Sequence, residues 1–364
     1  MLVDGHAIDI ADFTRDFAGN AVDLRPMKWS LNIAHRSASL DWSRLDGCDR
    51  DAVSALRLHI VRLIETRSGS HVVNTFEAVT KYLISMREAL EDPLAIGSLL
   101  SYLAQLRGKK DGSPFHLVRY WYVQSADRGL AGFNDEIVFA LQDLRIEGNA
   151  KGVAVLSSDP NDGPLSEFEE EALRSALIRD KGPLQERLAL WLAFAYGTNP
   201  ANLALLREED FIAYQFGDAA PAEHFLNIPR IKKRTKARAD FKKRYVSAQL
   251  AAIIKELVDL NRSRFPKDTV RPLFRRSKAS NSLAKGPISE YACHLKSHEI
   301  TGLISRCARR LCVLSPKTSL PIALSTRRLR YTFACKMVRQ GVGARELAEL
   351  LDHTVHESES SRAA

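Results

Sequence analysis

Residues 324–354 read LSTRRLRYTFACKMVRQGVGARELAELLDHT, from Leu324 to Thr354. The apolar spacing predicts a helix over 326–340 and a second over 344–351. Arg327, Arg328 and Arg330 crowd the start of the first helix, and His353 stands just beyond the second.

Upstream lies a denser basic run. Residues 230–244 hold nine Lys and Arg and a single acid, Asp240. Clustered Lys and Arg displace condensed counterions from a polyanion, so the run points to a phosphate-backbone surface. The alternative is a solvated charged hairpin. The candidates for backbone contact are Arg230, Lys233, Arg234, Lys236, Arg238, Lys242, Lys243 and Arg244, with Arg328 from the second cluster. The whole 364-residue chain has a formal net charge of +9, unevenly placed. Residues 1–163 carry 18 Lys and Arg against 22 Asp and Glu, whereas residues 164–364 carry 35 against 22. Both basic clusters fall in the second half, which favours a polyanionic partner there.

Composition narrows the class further. Hydrophobic residues make up 45% and charged residues 27%, an ordinary soluble mix with material for real cores. The strongest apolar stretch, 188–196, is too short to cross a bilayer. The opening MLVDGHAIDI shows no basic region or cleavage site of a secretory signal. A cytoplasmic protein with no membrane partner is expected. Cys48, Cys293, Cys307, Cys312 and Cys335 are odd in number and lack CxxC spacing, so reduced thiols are expected rather than disulfides. His294 and His298 stand four apart beside Cys293, but no fourth ligand completes a set, so no metal site is assigned.

Along the chain, residues 1–50 resist assignment, with 26–34 readable as strand or loop. From Asp51 the pattern turns helical: Val53, Leu56, Ile60 and Ile64 repeat on one face. Further helices are predicted over 73–90, 93–105, 114–128 and 136–144, giving a helical domain over 51–156. Residues 157–164, SSDPNDGP, carry the composition of a linker. Ser166 and Glu169 then form a capping-box pattern with Leu165 as staple. A buried helix follows over 184–196 and a short one from 202 to 207. Strands over 224–229 and 243–247 flank the basic turn as a hairpin. Helices are predicted over 250–263, 289–295 and 299–311, with 271–286 as a loop. The fold class is mainly α, with a small antiparallel β-sheet in a second domain over 165–354 and a disordered tail over 355–364.

Four segments of the basic half, in order, resemble the catalytic domain of tyrosine recombinases, the phage-integrase family. GPLSEFEEEAL resembles its opening capped helix. The run from Tyr196 to Asp210, YGTNPANLALLREED, resembles the family's TGLRxxELxxLxWxD without a gap. IPRIKKRTKARADFKKRYV resembles its lysine-bearing β-hairpin. The stretch quoted at the outset resembles HxLRHTFAxxLxxxGxxxxxIxxLLGH. A lone RxxR is weak, but LRYTFA followed at the right distance by LLDH is specific. The resemblance covers residues 164–354, and the preceding helices fill the place of the family's core-binding domain.

The resemblance implies a chemistry in which a tyrosine hydroxyl attacks a DNA phosphodiester. A 3′-phosphotyrosine link forms and a 5′-hydroxyl leaves. Two arginines hold the non-bridging oxygens where charge builds. A hairpin lysine protonates the leaving oxygen, and histidines assist. No metal or cofactor takes part. Arg330 then falls on the second catalytic arginine, His353 on the histidine of LLGH, and Lys232 on the hairpin lysine, with Lys233 as the alternative register. The departures are as informative. Asn199 stands at the first catalytic arginine, Asn202 at its supporting acid, and Arg327 at the first histidine of HxxR. The nucleophilic tyrosine is expected near Arg362, but the last tyrosine of the sequence is Tyr331. The tail after His353 resembles a truncated or frame-shifted end.

The leading expectation is therefore an integrase-like protein of a mobile element. It binds duplex DNA but lacks parts of the cleavage machinery. One alternative is a working recombinase whose nucleophile comes from another recombinase subunit. The other is a helical nucleic-acid-binding scaffold unrelated to recombination.

Overall fold

The computed structural model describes residues 11–36, 38–108, 113–146, 152–215, 222–231, 236–284 and 288–352. Lys232, Lys233, Arg234, His353 and the tail over 355–364 lie outside them. The chain divides into two compact units: Met1–Ile33 with Ser37–Lys151, and Ala34–Arg36 with Gly152–Ala364.

The first unit begins with two small antiparallel hairpins where no element could be assigned from sequence. β1 (Phe13–Arg15) pairs with β2 (Ala21–Asp23), and β3 (Lys28–Leu31) with β4 (Ala38–Asp41). In KWSL the alternation is present but brief: Trp29 and Leu31 are buried while Lys28 and Ser30 are exposed. Five helices follow: α1 (Arg50–Thr66), α2 (Gly69–Ala89), α3 (Ile96–Gly108), α4 (Phe115–Ala126) and α5 (Asp135–Asp143). Asp49 caps α1 by accepting the Ala52 N–H at 2.8 Å, a contact typically worth about 1 kcal/mol. The predicted face of α1 is the buried one, with Leu56, Ile60 and Ile64 inside and Val53 at its margin. The core is aromatic: Trp42 meets Trp29 at 4.7 Å and the edge of Phe76 at 4.9 Å.

The second unit opens with α6 (Val153–Leu156) and a turn over 157–164. This stretch, expected to be an interdomain linker, is folded into the unit instead. The Gly163 N–H donates to the Asp159 carbonyl at 2.9 Å, and the Gly163 carbonyl accepts from Arg328. A Cβ on Gly163 would lie 2.5 Å from the Ala154 carbonyl oxygen, so glycine serves close packing there rather than looseness. The division between units falls before it. The capping box then forms as expected at the start of α7 (Glu167–Arg179): Ser166 Oγ accepts the Glu169 N–H, and the Glu169 carboxylate accepts the Ser166 N–H at 2.9 Å.

α8 (Leu184–Tyr196) is the central helix, buried from Leu188 to Phe194 and packed by α10 (Ala248–Arg264), α12 (Ser297–Leu311) and α13 (Thr326–Arg339). Gly197 ends it with φ +58, the left-handed cap that glycine favours. A short α9 (Pro200–Ala204) follows, beginning two residues earlier than the sequence pattern indicated. The sheet has three strands rather than two. β5 (Phe211–Tyr214), β6 (Glu223–Pro229) and β7 (Phe241–Val246) run antiparallel with β6 in the middle. Between α10 and α12 lies a short α11 (Asn281–Ala284), and the helix expected over 289–295 is only a 3-10 turn, Ser289–Tyr291. α14 (Ala344–Leu350) follows α13. Among the described residues no helix is long and apolar enough to cross a membrane.

Candidate nucleic-acid interface

The hairpin sorts its own basic residues. Side chains alternate between faces along a strand, and cross-strand partners share a face. Lys242 pairs with Ile228, Arg244 with Leu226 and Val246 with His224. Leu226, Ile228 and Val246 are core residues, so Lys242 and Arg244 point inward beside them. Lys243 points the other way, its ammonium 4.3 Å from the Tyr214 ring centroid and 4.1 Å from that of Phe225. One basic run thus serves two surfaces.

The inward residues meet the end of α14. Lys242 Nζ donates to Asp352 Oδ2 at 2.9 Å and to the Leu350 carbonyl at 3.0 Å. Arg244 donates to the same carbonyl at 3.1 Å. Arg230, just past β6, donates to Asp352 Oδ1 at 3.0 Å, to the Glu349 carboxylate, and to the Glu349 carbonyl at 3.3 Å. Arg330, on α13, donates to the Gly197 carbonyl at 3.1 Å and to the Leu351 carbonyl. Four cations therefore gather at the last carbonyls of a helix, where the backbone dipole is negative.

Asp352 sits at the centre of this cluster. It is 5% exposed and has φ +56. A side chain in that left-handed region costs about 1–2 kcal/mol, which its two ion pairs and the bond from Asn202 Nδ2 at 3.2 Å offset. Burial drives the Lys242 ammonium down to about 8, against the pull of Asp352 and with a further push from Arg244 and Arg330. Burial likewise lowers Arg330 and Arg244 from the usual guanidinium value. Neither Asp352 nor Glu349 was a sequence candidate. The signal for Asp352 was its place before His353 in LLDH; that for Glu349 was only helical spacing.

The other candidates distribute as follows. Asn199 Oδ1 accepts the Ala201 N–H at 3.0 Å, making it the N-cap of α9. Asn202 is buried and donates to the Pro229 carbonyl at 2.6 Å. Arg327 and Lys236 are exposed. Two candidates for DNA contact are corrected. Arg328 is 1% exposed; its guanidinium is consumed by the Gly163 carbonyl at 2.9 Å, the Ala323 carbonyl at 3.2 Å and Glu169 at 3.2 Å. Arg238 is held by Asp210 at 2.6 Å, Glu209 at 2.8 Å and the Leu205 carbonyl at 2.9 Å. Both are internal braces, because each buried acid nearby needs a counter-charge. His294 is fully buried with Nδ1 2.9 Å from the Ala204 carbonyl oxygen, and burial lowers it to about 3. Among the described residues no group of three or more His, Cys, Asp or Glu is placed to hold a metal.

This architecture, helices around a three-stranded antiparallel sheet preceded by a helical unit, is the tyrosine-recombinase fold. The chain is similar to the Tn1549 transposon integrase in complex with circular intermediate DNA, with TM-score 0.51 and 13% identity over 85% of this chain and 96% of that one. It is also similar to a lambda integrase dimer bound to a COC' core site, with TM-score 0.52 and 13% identity over 98% of this chain and 96% of that one. No family model matches the sequence, and no curated protein matches it.

Proposed function

We propose that this chain is a recombinase-like protein that binds duplex DNA through its second unit, in the recombination or integration of a mobile element within the cytoplasm. The observation that carries the reading is the convergence of Arg230, Lys242, Arg244 and Arg330 on one acidic helix end. Such a group of cations, in the basic half of the chain, is suited to phosphate oxygens. The similar Tn1549 integrase, in complex with circular intermediate DNA, and the lambda integrase dimer, bound to a COC' core site, support the same partner. Other recombinase subunits are further partners in this reading. Lys232, Lys233, Arg234 and Lys236, which follow Arg230 in sequence, extend the contact along the backbone in this reading, and Lys243 offers a separate contact from the other face of β7. Lys232, Arg327 and His353 are the remaining candidates for handling the reacting phosphate.

The same reading holds that the 364 residues bind DNA without cutting it. Asn199 is spent as a helix cap and cannot supply the charge and planar fork of an arginine. Loss of one such donor costs on the order of 10²–10³ in rate.

The experiment is a gel shift with duplex DNA over a salt series, run beside a nicked suicide substrate under denaturing conditions. Neutralising Lys232, Lys233 and Arg234 together is expected to flatten the salt dependence by about 2–3 units of slope. No covalent adduct is expected. An unchanged slope removes these residues from the backbone contact. An adduct that Tyr331→Phe abolishes makes the chain an active enzyme.

A further inference from the structure

The cations of the cluster are already occupied. The carbonyls of Glu349, Leu350 and Leu351 and the carboxylate of Asp352 take up hydrogen bonds from Arg230, Lys242, Arg244 and Arg330. A helix C-terminus ending in a carboxylate presents several oxygens and a negative charge in a small volume. That is the chemistry of a phosphodiester, which also offers a guanidinium two acceptor oxygens and one negative charge.

The segment that carries these oxygens is lightly anchored. No residue of α14 itself is buried, and the buried apolar side chain of its C-terminal turn is Leu351, just past the helix. Its C-terminal turn is held by that one side chain and by the polar bonds just described. Segments with few buried apolar contacts are the ones that open locally. Asp352 also adopts its left-handed backbone where the LLGH pattern carries glycine, so this chain has placed a charged side chain at a position that does not favour one. The carboxylate it brings is shielded from water and contacts two cations of the cluster directly.

We propose that the C-terminal turn of α14, with Asp352 at its tip, is a displaceable internal counterion that fills the cation cluster until a DNA phosphate expels it. The inference rests on the DNA-binding reading and adds a threshold to it. The open cluster is only a fraction of the population, and apparent affinity falls by that fraction. An anion must also outcompete a tethered carboxylate, so isolated phosphates bind poorly and a polyanion, which adds contacts from neighbouring phosphates, binds well.

Two variants and one measurement on the unaltered chain test this. Asp352→Asn removes the charge and keeps the size, while Asp352→Gly also suits the backbone. Each is titrated with a short duplex by fluorescence anisotropy and with sodium sulfate by thermal shift. Both ligands are expected to bind the variants about tenfold more tightly than the wild type. Hydrogen exchange over 344–352 is measured on the wild type with and without saturating duplex, and is expected to accelerate when duplex is present. If neither ligand gains affinity in either variant, the counterion role is overturned. If duplex saturates the wild type and exchange over 344–352 does not change, it is overturned as well, and this arm decides alone should the variants fail to fold. If sulfate gains affinity in the variants while no form binds duplex, the counterion role stands and the DNA-binding reading falls.

Discussion

Arg328 and Arg330 stand two positions apart on α13 and have opposite fates. Residues at i and i+2 of a helix point about 200° apart, so the side chains cannot share a face. Arg328 turns into the unit and pairs with Glu169, itself 3% exposed. Arg330 turns to the end of α14. A pair taken out of water contributes little net stability while intact, but removing one partner strands the other. Arg328→Ala is expected to destabilise the fold by about 3–5 kcal/mol, read as a shift in urea midpoint. Arg328→Met combined with Glu169→Gln is expected to recover much of that loss. If the single change moves stability by less than about 1 kcal/mol, the brace has been overvalued.

At the scale of elements, β7 makes the sharpest prediction because it separates Lys242 from Lys243. Lys242 is held at about 8 by burial. As pH rises through 8 the cluster loses a positive charge, so anion and duplex binding are expected to weaken between pH 7 and 9.5. Lys242→Arg is expected to abolish that decline, whereas Lys243→Met is expected to leave it intact. Stability runs in the opposite sense. Between about 8 and the 10.5 of a free lysine, the unfolded chain holds the proton that the folded chain has lost, so this group adds stability as pH rises. Anisotropy across that range, at fixed salt, decides the binding half; a Lys243→Met profile that goes flat would reverse the assignment of faces.

The elements also show what sequence can carry. The face of α1 was readable because a helix of 17 residues repeats its apolar stripe several times, and the burial of α8 because its apolar run is unbroken. The capping box at Ser166 was readable because both partners lie within one turn. β1 to β5 were not, since strands of three or four residues give one alternation at most. The turn over 157–164 has the composition of a linker, and only the distant Arg328 shows it to be packed. In the cluster, Arg330 was a candidate from its motif, and the structure adds its bond to the end of α14. The inward turn of Lys242 and Arg244 required the register with β6, and the role of Asp352 required the ion pairs that its place in LLDH does not display.

For the whole molecule, each unit hides a neutral imidazole. Burial lowers His59 in the first unit to about 4 and His294 in the second to about 3. Both lie below the usual 6.5, so the unfolded chain takes up protons that the folded chain refuses. Stability is complete above about pH 6.5 and is lost as pH falls from there toward 4 and 3. His59→Phe is expected to lower the acid midpoint of unfolding followed by circular dichroism. An unaltered midpoint would mean that carboxylates alone govern acid unfolding.

The contact between Arg328 and the Gly163 carbonyl joins positions 165 residues apart, and Thr332 holds the Leu165 N–H across 167. Such a closure imposes an order on synthesis. Chains fold from the N-terminus as they leave the ribosome, and among the described residues the buried core of the first unit ends at Leu141, with Leu144 and Ile146 packed against it. The second cannot complete itself until α13 has emerged: α10 and α12 cover part of α8 earlier, but the side that α13 packs, and the start of α7, stay open. The nascent chain therefore leaves one side of its most apolar helix open for most of the time the basic half is being made, and that interval is when it most needs a chaperone.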